Sequence, residues 1–210
     1  TTVDVLTVAG ETVSQRKETV AVETTIEIWL NDHCVVARSG SPSHLQELAV
    51  GVLLGEGYLQ SVADIQAILY QKTPQGYRLD VTATEPEEAY ARGVLADQDA
   101  LPFTLSDCNR RLLPFGLDCQ KVPEMMERFV KKSTVFQQTG GVHCGGVAVG
   151  DELLFFAEDI ARYQAFHKSL GYAAQIKQEA FSAAPYLLIS GRVSAQMILA
   201  CARVGVKLLI

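Results

Sequence analysis

The chain has 210 residues, 48% hydrophobic and 20% charged, enough to bury a substantial core in one large or two small domains. Its formal charge of -6 excludes the clustered basic face that a nucleic-acid binder needs, so an anionic partner would have to be met locally by a few arginines and backbone N–H groups. No apolar run has the length of a membrane span, and the opening Thr1 to Leu6 lacks the basic and apolar regions of a secretory signal.

Residues 1–17 are polar without a clear period and read as a tail. From Val20 the apolar positions Val22, Ile26, Ile28 and Leu30 alternate with Glu23, Thr25, Glu27 and Trp29, which predicts a strand with one buried face. Asn31-Asp32 supplies a turn, and Cys34 to Arg38 return as the second strand of a hairpin. Ser41-Pro42-Ser43 opens a helix: Ser43 and Gln46 can form a capping box, Leu45, Leu48, Ala49, Val52 and Leu53 share a face, and Gly55 and Gly57 end it. A short helix from Ser61 carries Val62, Ile65 and Ile68. A hairpin follows, Leu69 to Lys72 and Tyr77 to Ala83 around Thr73-Pro74-Gln75-Gly76. Residues 84–98 read as a linker. Leu101 to Gln120 has no sustained period and predicts a long loop, a length usually functional or disordered.

Pro123 then starts a helix with Met125, Met126, Phe129 and Val130 inward. Gln138 to Gly146 holds four glycines around Thr139, His143 and Cys144. Glycine lets backbone pass close to another backbone or to a ligand, so this stretch is either a tight crossing or a binding floor. Val147 to Val149 and Leu153 to Phe156 pair across Gly150-Asp151. The order then becomes helix (Ile160 to Leu170), strand (Tyr186 to Ser190), helix (Val193 to Val204) and strand (Val206 to Ile210). That alternation predicts parallel strands with right-handed crossovers, and a ligand site at their carboxyl ends, where Glu158-Asp159 and Ser190-Gly191-Arg192 share an edge. The bare apolar ending Lys207 to Ile210 suggests a shortened domain.

Four domains of the sequence follow: a tail (1–17), an α+β subdomain (18–98), a loop carrying Cys108 (99–121), and a mixed-sheet α/β domain (122–210) expected to lack its final helix and strand. The fold class is α/β.

Ser190-Gly191-Arg192 at a strand-to-helix junction is either a phosphate seat, with free N–H groups and a forked guanidinium, or a plain serine cap beside a surface arginine. Asp159 and Arg162 form either a local ion pair or, facing that edge, an acceptor for a base or ribose and a phosphate contact. Cys108, in Ser106-Asp107-Cys108-Asn109-Arg110-Arg111, is the best placed nucleophile because two arginines favour a thiolate, although Asp107 opposes them. Five cysteines at irregular spacing give no disulfide framework, and a reducing, cytoplasmic setting is the simplest reading. His143, Cys144, His167 and Cys201 lack the close spacing of a zinc site, and the zinc deaminase pattern is absent. Cys201, with Met197 and Val204, reads as core.

Thr139-Gly140-Gly141-Val142-His143, Glu158-Asp159-Ile160-x-Arg162 and Ser190-Gly191-Arg192-Val193-Ser194-x-x-Met197 resemble, in order and spacing, the formate dehydrogenase accessory sulfurtransferase (FdhD) family. Glu47 to Gly57 is similar to that family's first helix, and the likeness covers roughly residues 18–210. The resemblance implies a cytoplasmic, usually dimeric protein with a three-layer, cytidine-deaminase-like larger domain that holds no zinc. It implies that persulfide sulfur is taken from a cysteine desulfurase and passed to the molybdenum cofactor, as molybdopterin guanine dinucleotide, before insertion into formate dehydrogenase. It also implies guanine nucleotide binding. Cofactor contacts would then fall to Thr139, Gly140, Gly141, His143, Asp159, Arg162, Ser190, Gly191 and Arg192, and the thiol to Cys108.

This sequence departs from the family twice. Cys108 is one cysteine of the usual Cys-x-x-Cys, with Leu105 and Arg111 where a second would stand. The run Gly-Arg-His-Asn-Ala-x-Asp-Lys becomes Ala161-Arg162-Tyr163-Gln164-Ala165-Phe166-His167-Lys168. An active sulfur carrier and a cofactor-binding delivery module without sulfur transfer are both consistent with these changes.

Overall fold

The computed structural model describes residues 1–84, 117–176 and 184–210, so Cys108 and nearly all of the 84–98 linker and the 99–121 loop lie outside the described residues. The stretch read as a tail is a hairpin instead, β1 (Thr2–Ala9) and β2 (Thr12–Thr19), paired from Thr2↔Thr19 to Ala9↔Thr12. Its period is hidden because neither face is buried: Leu6, Val8 and Val13 all stand exposed.

A four-stranded sheet follows, in the order β4-β3-β6-β5, from β3 (Thr24–Leu30), β4 (His33–Gly40), β5 (Ile65–Thr73) and β6 (Gly76–Ala83). Ile26, Ile28 and Leu30 point to the core, as their alternation predicts, while Val22 precedes the strand and is exposed. Asn31 and Asp32 turn the β3–β4 hairpin with positive φ at both residues, the geometry that matches strand twist. The helix expected from Ser61 is a single tight turn, Val62–Asp64, closed by a capping box between Ser61 and Asp64. Ile65 and Ile68 already belong to β5.

Helix α1 (Leu45–Gly55) is buried on nearly every side. It packs between the four-stranded sheet and a long helix from the second half of the chain, Arg162–Gln175. Ser43 does not cap it: the residue before its first turn is His44, in left-handed conformation with no side-chain cap.

In the second half, α2 (Val122–Lys131) buries Met125 and Phe129, with Val130 exposed. A short helix α3 (Thr134–Thr139) leads to β7 (His143–Val149), β8 (Glu152–Asp159), α4 (Arg162–Gln175), β9 (Tyr186–Ile189) and α5 (Ala195–Val204). The sheet order is β8-β7-β9. Both pairings are antiparallel, so β8 and β9, joined through α4, run parallel to each other on either side of β7, as the alternation of strands and helices predicts. Among the described residues, neighbouring segments pair in parallel at β3 against β6 and where Leu187 bridges Leu209 across the α5 crossover.

Helix α4 covers one face of this sheet and α2 the other, so the second half is a three-layer mixed α/β arrangement. One hydrophobic cluster runs from Ile26 and Leu79 through Leu48 and Leu53 to Phe166, Leu187 and Met197, joining both halves of the chain. The crossing of α1 and α4 depends on two glycines. A Cβ on Gly51 would lie 1.8 Å from the His167 carbonyl oxygen, and one on Gly171 would lie 1.8 Å from that of Glu47. Backbone touches backbone here, and no side chain can yield to make room.

A basic edge as the candidate functional site

Because β8 and β9 both run antiparallel to the central β7, their carboxyl ends meet the start of β7 at one edge of the sheet. His143 pairs with Asp159, and the Ser190 amide donates to the Cys144 carbonyl at 3.0 Å. Ser190 Oγ accepts from the Cys144 amide at 2.9 Å, which fixes the first residue after β9. The shared edge expected from sequence is therefore present, with β8 and β9 running in the same direction.

Gly191 is the centre of this edge. A Cβ there would come 2.6 Å from Arg162 Cδ and 3.5 Å from His143 Nδ1, so glycine is what lets Arg162, His143 and the loop after β9 converge. Arg162 starts α4 with its guanidinium 5.3 Å from the centre of the Tyr163 ring. Arg192 is exposed on the same loop. Among the described residues neither guanidinium has an ion-pair partner, in a chain of formal charge -6. Two unmatched cations beside a half-buried imidazole and a glycine loop can seat a phosphate or pyrophosphate.

Other residues of the expected site have structural duties. Asp159 is fully buried rather than open to a ligand: its carboxylate takes Lys168 Nζ at 2.6 Å, the Ser41 amide at 3.1 Å and the Ala161 amide at 2.8 Å. Lys168, equally buried, also donates to the Ser41 carbonyl at 2.9 Å and to Ser43 Oγ at 3.2 Å. Burial pulls the lysine below its ordinary pKa while Asp159 opposes the shift. Ser41 Oγ accepts from the Ile160 amide at 3.1 Å, so the loop before α1 is riveted to the segment that launches Arg162.

The junction after β9 is also not a free helix start. Helix α5 begins at Ala195, and Ser194 caps it by accepting from the Met197 amide at 3.3 Å. Thr139 ends α3, with Gly140 in left-handed conformation (φ +62°) as its cap, and Thr139 Oγ1 accepts from the Gly141 amide at 3.0 Å. These three residues run through buried Val142 straight into His143. The glycine pair inside β7 serves packing: a Cβ on Gly145 would meet the Ala165 carbonyl at 2.2 Å, and one on Gly146 the Phe129 ring at 2.8 Å. Glu158 receives the Val135 and Phe136 amides at 3.0 and 3.2 Å and the Ser133 hydroxyl, which holds the start of α3 against β8.

The cysteines separate by environment. Burial pushes the Cys144 thiol up, with hydrogen bonding from Ser133 and Ser190 acting the other way, and burial alone takes Cys201 to about 12. Neither is a thiolate near neutral pH. Cys34 and Cys119 are exposed. Among the described residues no three His, Cys, Asp or Glu side chains group as metal ligands. His167 is buried and pushed down to about 3, chiefly by desolvation and then by the Arg38 cation. It is neutral, and its 3.7 Å approach to Glu56 is no ion pair. A cavity of about 610 Å³ between α2 and the β7–β8 turn, lined by Met125, Arg128, Lys132 and Asp151 among others, lies at the opposite end of the sheet from His143. No helix among the described residues is long and apolar enough to cross a membrane.

Fold and edge together define a mixed α/β protein that presents two unmatched arginines beside a glycine loop. The chain belongs to the FdhD/NarQ family, whose model matches residues 21–210. It is similar to the sulfur carrier protein FdhD of Listeria innocua, with 26% identity over 204 residues, 92% of this chain and 77% of that protein. The sulfur carrier protein FdhD of Shouchella clausii is 27% identical over 219 residues, 96% of this chain and 79% of that one. A crystal structure described as a candidate formate dehydrogenase accessory protein from Desulfotalea psychrophila superposes with a TM-score of 0.75 at 25% identity. It covers all of this chain, which spans 80% of it.

Sequence reasoning named Glu158, Lys168 and Ser194 within its motifs but missed their structural roles, which are to hold α3, to pair with Asp159 and to cap α5.

Proposed function

We propose that this chain is a cytoplasmic sulfur carrier for formate dehydrogenase, which takes persulfide sulfur from a cysteine desulfurase and delivers it to the molybdenum cofactor in its guanine dinucleotide form. The observation that supports this reading best is the convergence of Arg162, His143 and Gly191, with Arg192 beside them, at one edge where neither arginine has an anionic partner among the described residues. A dinucleotide's pyrophosphate supplies the charge that this edge lacks. Glycine at 191 leaves the approach open, and the Thr139 to Gly141 turn lies on the chain leading into the same edge.

Cys108 is the sulfur-bearing thiol in this reading. Its thiolate attacks the terminal sulfur of the desulfurase persulfide, the sulfur–sulfur bond of that persulfide breaks, and the desulfurase thiol leaves as Cys108 gains the persulfide. Tyr163, beside Arg162 at the start of α4, brings no anion to the seat, and His167 lies buried against α1 away from it. A homodimer and direct contact with formate dehydrogenase belong to the same proposal.

Loading the protein with a cysteine desulfurase and cysteine, followed by mass spectrometry, tests it. One added sulfur on the wild-type chain, absent from Cys108→Ala and retained in Cys119→Ala, is expected. Guanine nucleotide binding with no added sulfur would favour instead a delivery module that holds the cofactor without moving sulfur.

A further inference from the structure

The loop that carries Arg192 is tied down at both ends. At its start, Ser190 exchanges two hydrogen bonds with the backbone of Cys144 on β7. At its end, the Tyr163 hydroxyl lies 2.6 Å from Ser194 Oγ and 3.0 Å from Gln196 Oε1. Proton directions follow from the acceptors. The Gln196 carbonyl oxygen can only accept, so the phenol donates to it; the Ser194 hydroxyl then donates to the phenol and accepts from the Met197 amide at 3.3 Å. A chain of three hydrogen bonds thus joins the first turn of α4 to the first turn of α5.

The same tyrosine also touches the other cation. Its ring lies 5.3 Å from the Arg162 guanidinium carbon, and the stem of Arg162 runs past Gly191, where a Cβ would come within 2.6 Å. Arg162 is confined between that ring and that backbone. Arg192 is carried by a loop whose far end the phenol holds.

From this arrangement we infer that Tyr163 is a positioning residue that sets the spacing of Arg162 and Arg192 for a pyrophosphate-bearing ligand. This rests on the cofactor-binding reading above and adds to it a residue outside the expected contact set. The ring orients one arginine and the hydroxyl orients the other, so the two functions separate by substitution.

The test is GDP titration calorimetry on the full chain, with thermal melts run in parallel. Tyr163→Phe keeps the ring and removes the hydroxyl with its two hydrogen bonds to the far end of the Arg192 loop, and is expected to weaken GDP binding about fivefold, within the range for lost neutral hydrogen bonds. In an Arg192→Ala background the same change should cost nothing, because the loop no longer carries its cation. A general loosening of the fold would lower affinity equally in both backgrounds. Equal losses, or wild-type affinity in Tyr163→Phe, would overturn the inference while leaving the cofactor reading standing. A wild-type chain that takes up no GDP overturns that reading and this inference together.

Discussion

Arg162 and Lys168 stand on one helix, six residues apart in the sequence, and the fold treats them in opposite ways. Lys168 faces inward, is wholly buried, and has Asp159, Ser41 and Ser43 arranged around its ammonium group. Arg162 faces the sheet edge, packs against Gly191, and meets no carboxylate among the described residues. A charge in the interior must be matched or the fold is lost. At an edge, water can hold an unmatched charge at little cost, and that leaves it available to a ligand. The contrast separates the residues that keep α4 in place from those that use its position.

The sharpest way to break this comparison is to remove the interior cation. Lys168→Met leaves Asp159 buried without its partner and is expected to cost about 3–5 kcal/mol in urea unfolding, with part of that recovered when Asp159→Asn is added. A loss below about 1 kcal/mol would show that the pair does not hold the two halves of the chain together. Next in size is the helix crossing. Gly51→Ala places a methyl group within 1.8 Å of a carbonyl oxygen, so α1 and α4 must separate, at a cost of about 2–3 kcal/mol in the same measurement.

At the edge the expectation reverses. Arg162→Ala and Arg192→Ala should each weaken GDP binding about ten- to a hundredfold, the range for hydrogen bonds to charged groups, while unfolding free energy moves by no more than about 0.5 kcal/mol. An Arg162 variant that lowers unfolding free energy by several kcal/mol but leaves binding by the folded chain intact would place Arg162 with Lys168 rather than against it.

The smallest effect concerns His167, which lies beside the buried lysine in sequence. Its folded pKa of about 3 is below the unfolded value of about 6.5. The unfolded chain therefore takes up a proton that the folded one refuses, and stability falls as pH drops from about 6.5 toward 3, by about 1.4 kcal/mol per unit at most. His167→Gln should flatten the dependence between pH 6.5 and 5, as read by unfolding free energy across that range. An unchanged slope would mean that the imidazole accepts its proton inside the fold.

Much of the frame was legible because it is local. Alternation in β3, the Asn31-Asp32 turn, the helical face from Leu45 to Leu53 and the hairpin at Gly150 each follow from neighbours within a few residues. The common edge of Asp159 and Ser190 was also legible, since strands that alternate with helices run parallel and end on one side of the sheet. Other features have no local signature. Ser41 meets Asp159 across 118 positions of sequence, and nothing near Ser43 shows that its hydroxyl serves a lysine instead of a helix. Asp159 and Arg162 look equally available as neighbours in one motif, yet one is sealed inside and the other is not.

By itself the sequence determined the elements, the family likeness and the set of polar residues that gather near one end of the sheet. Short-range periodicity and glycine placement specify backbone conformation, and those are properties of adjacent residues. Tertiary structure alone decided which of the gathered charges are consumed by the fold and which remain for a ligand. Burial and ion pairing depend on segments more than a hundred residues apart coming into contact, and only a completed core brings them there.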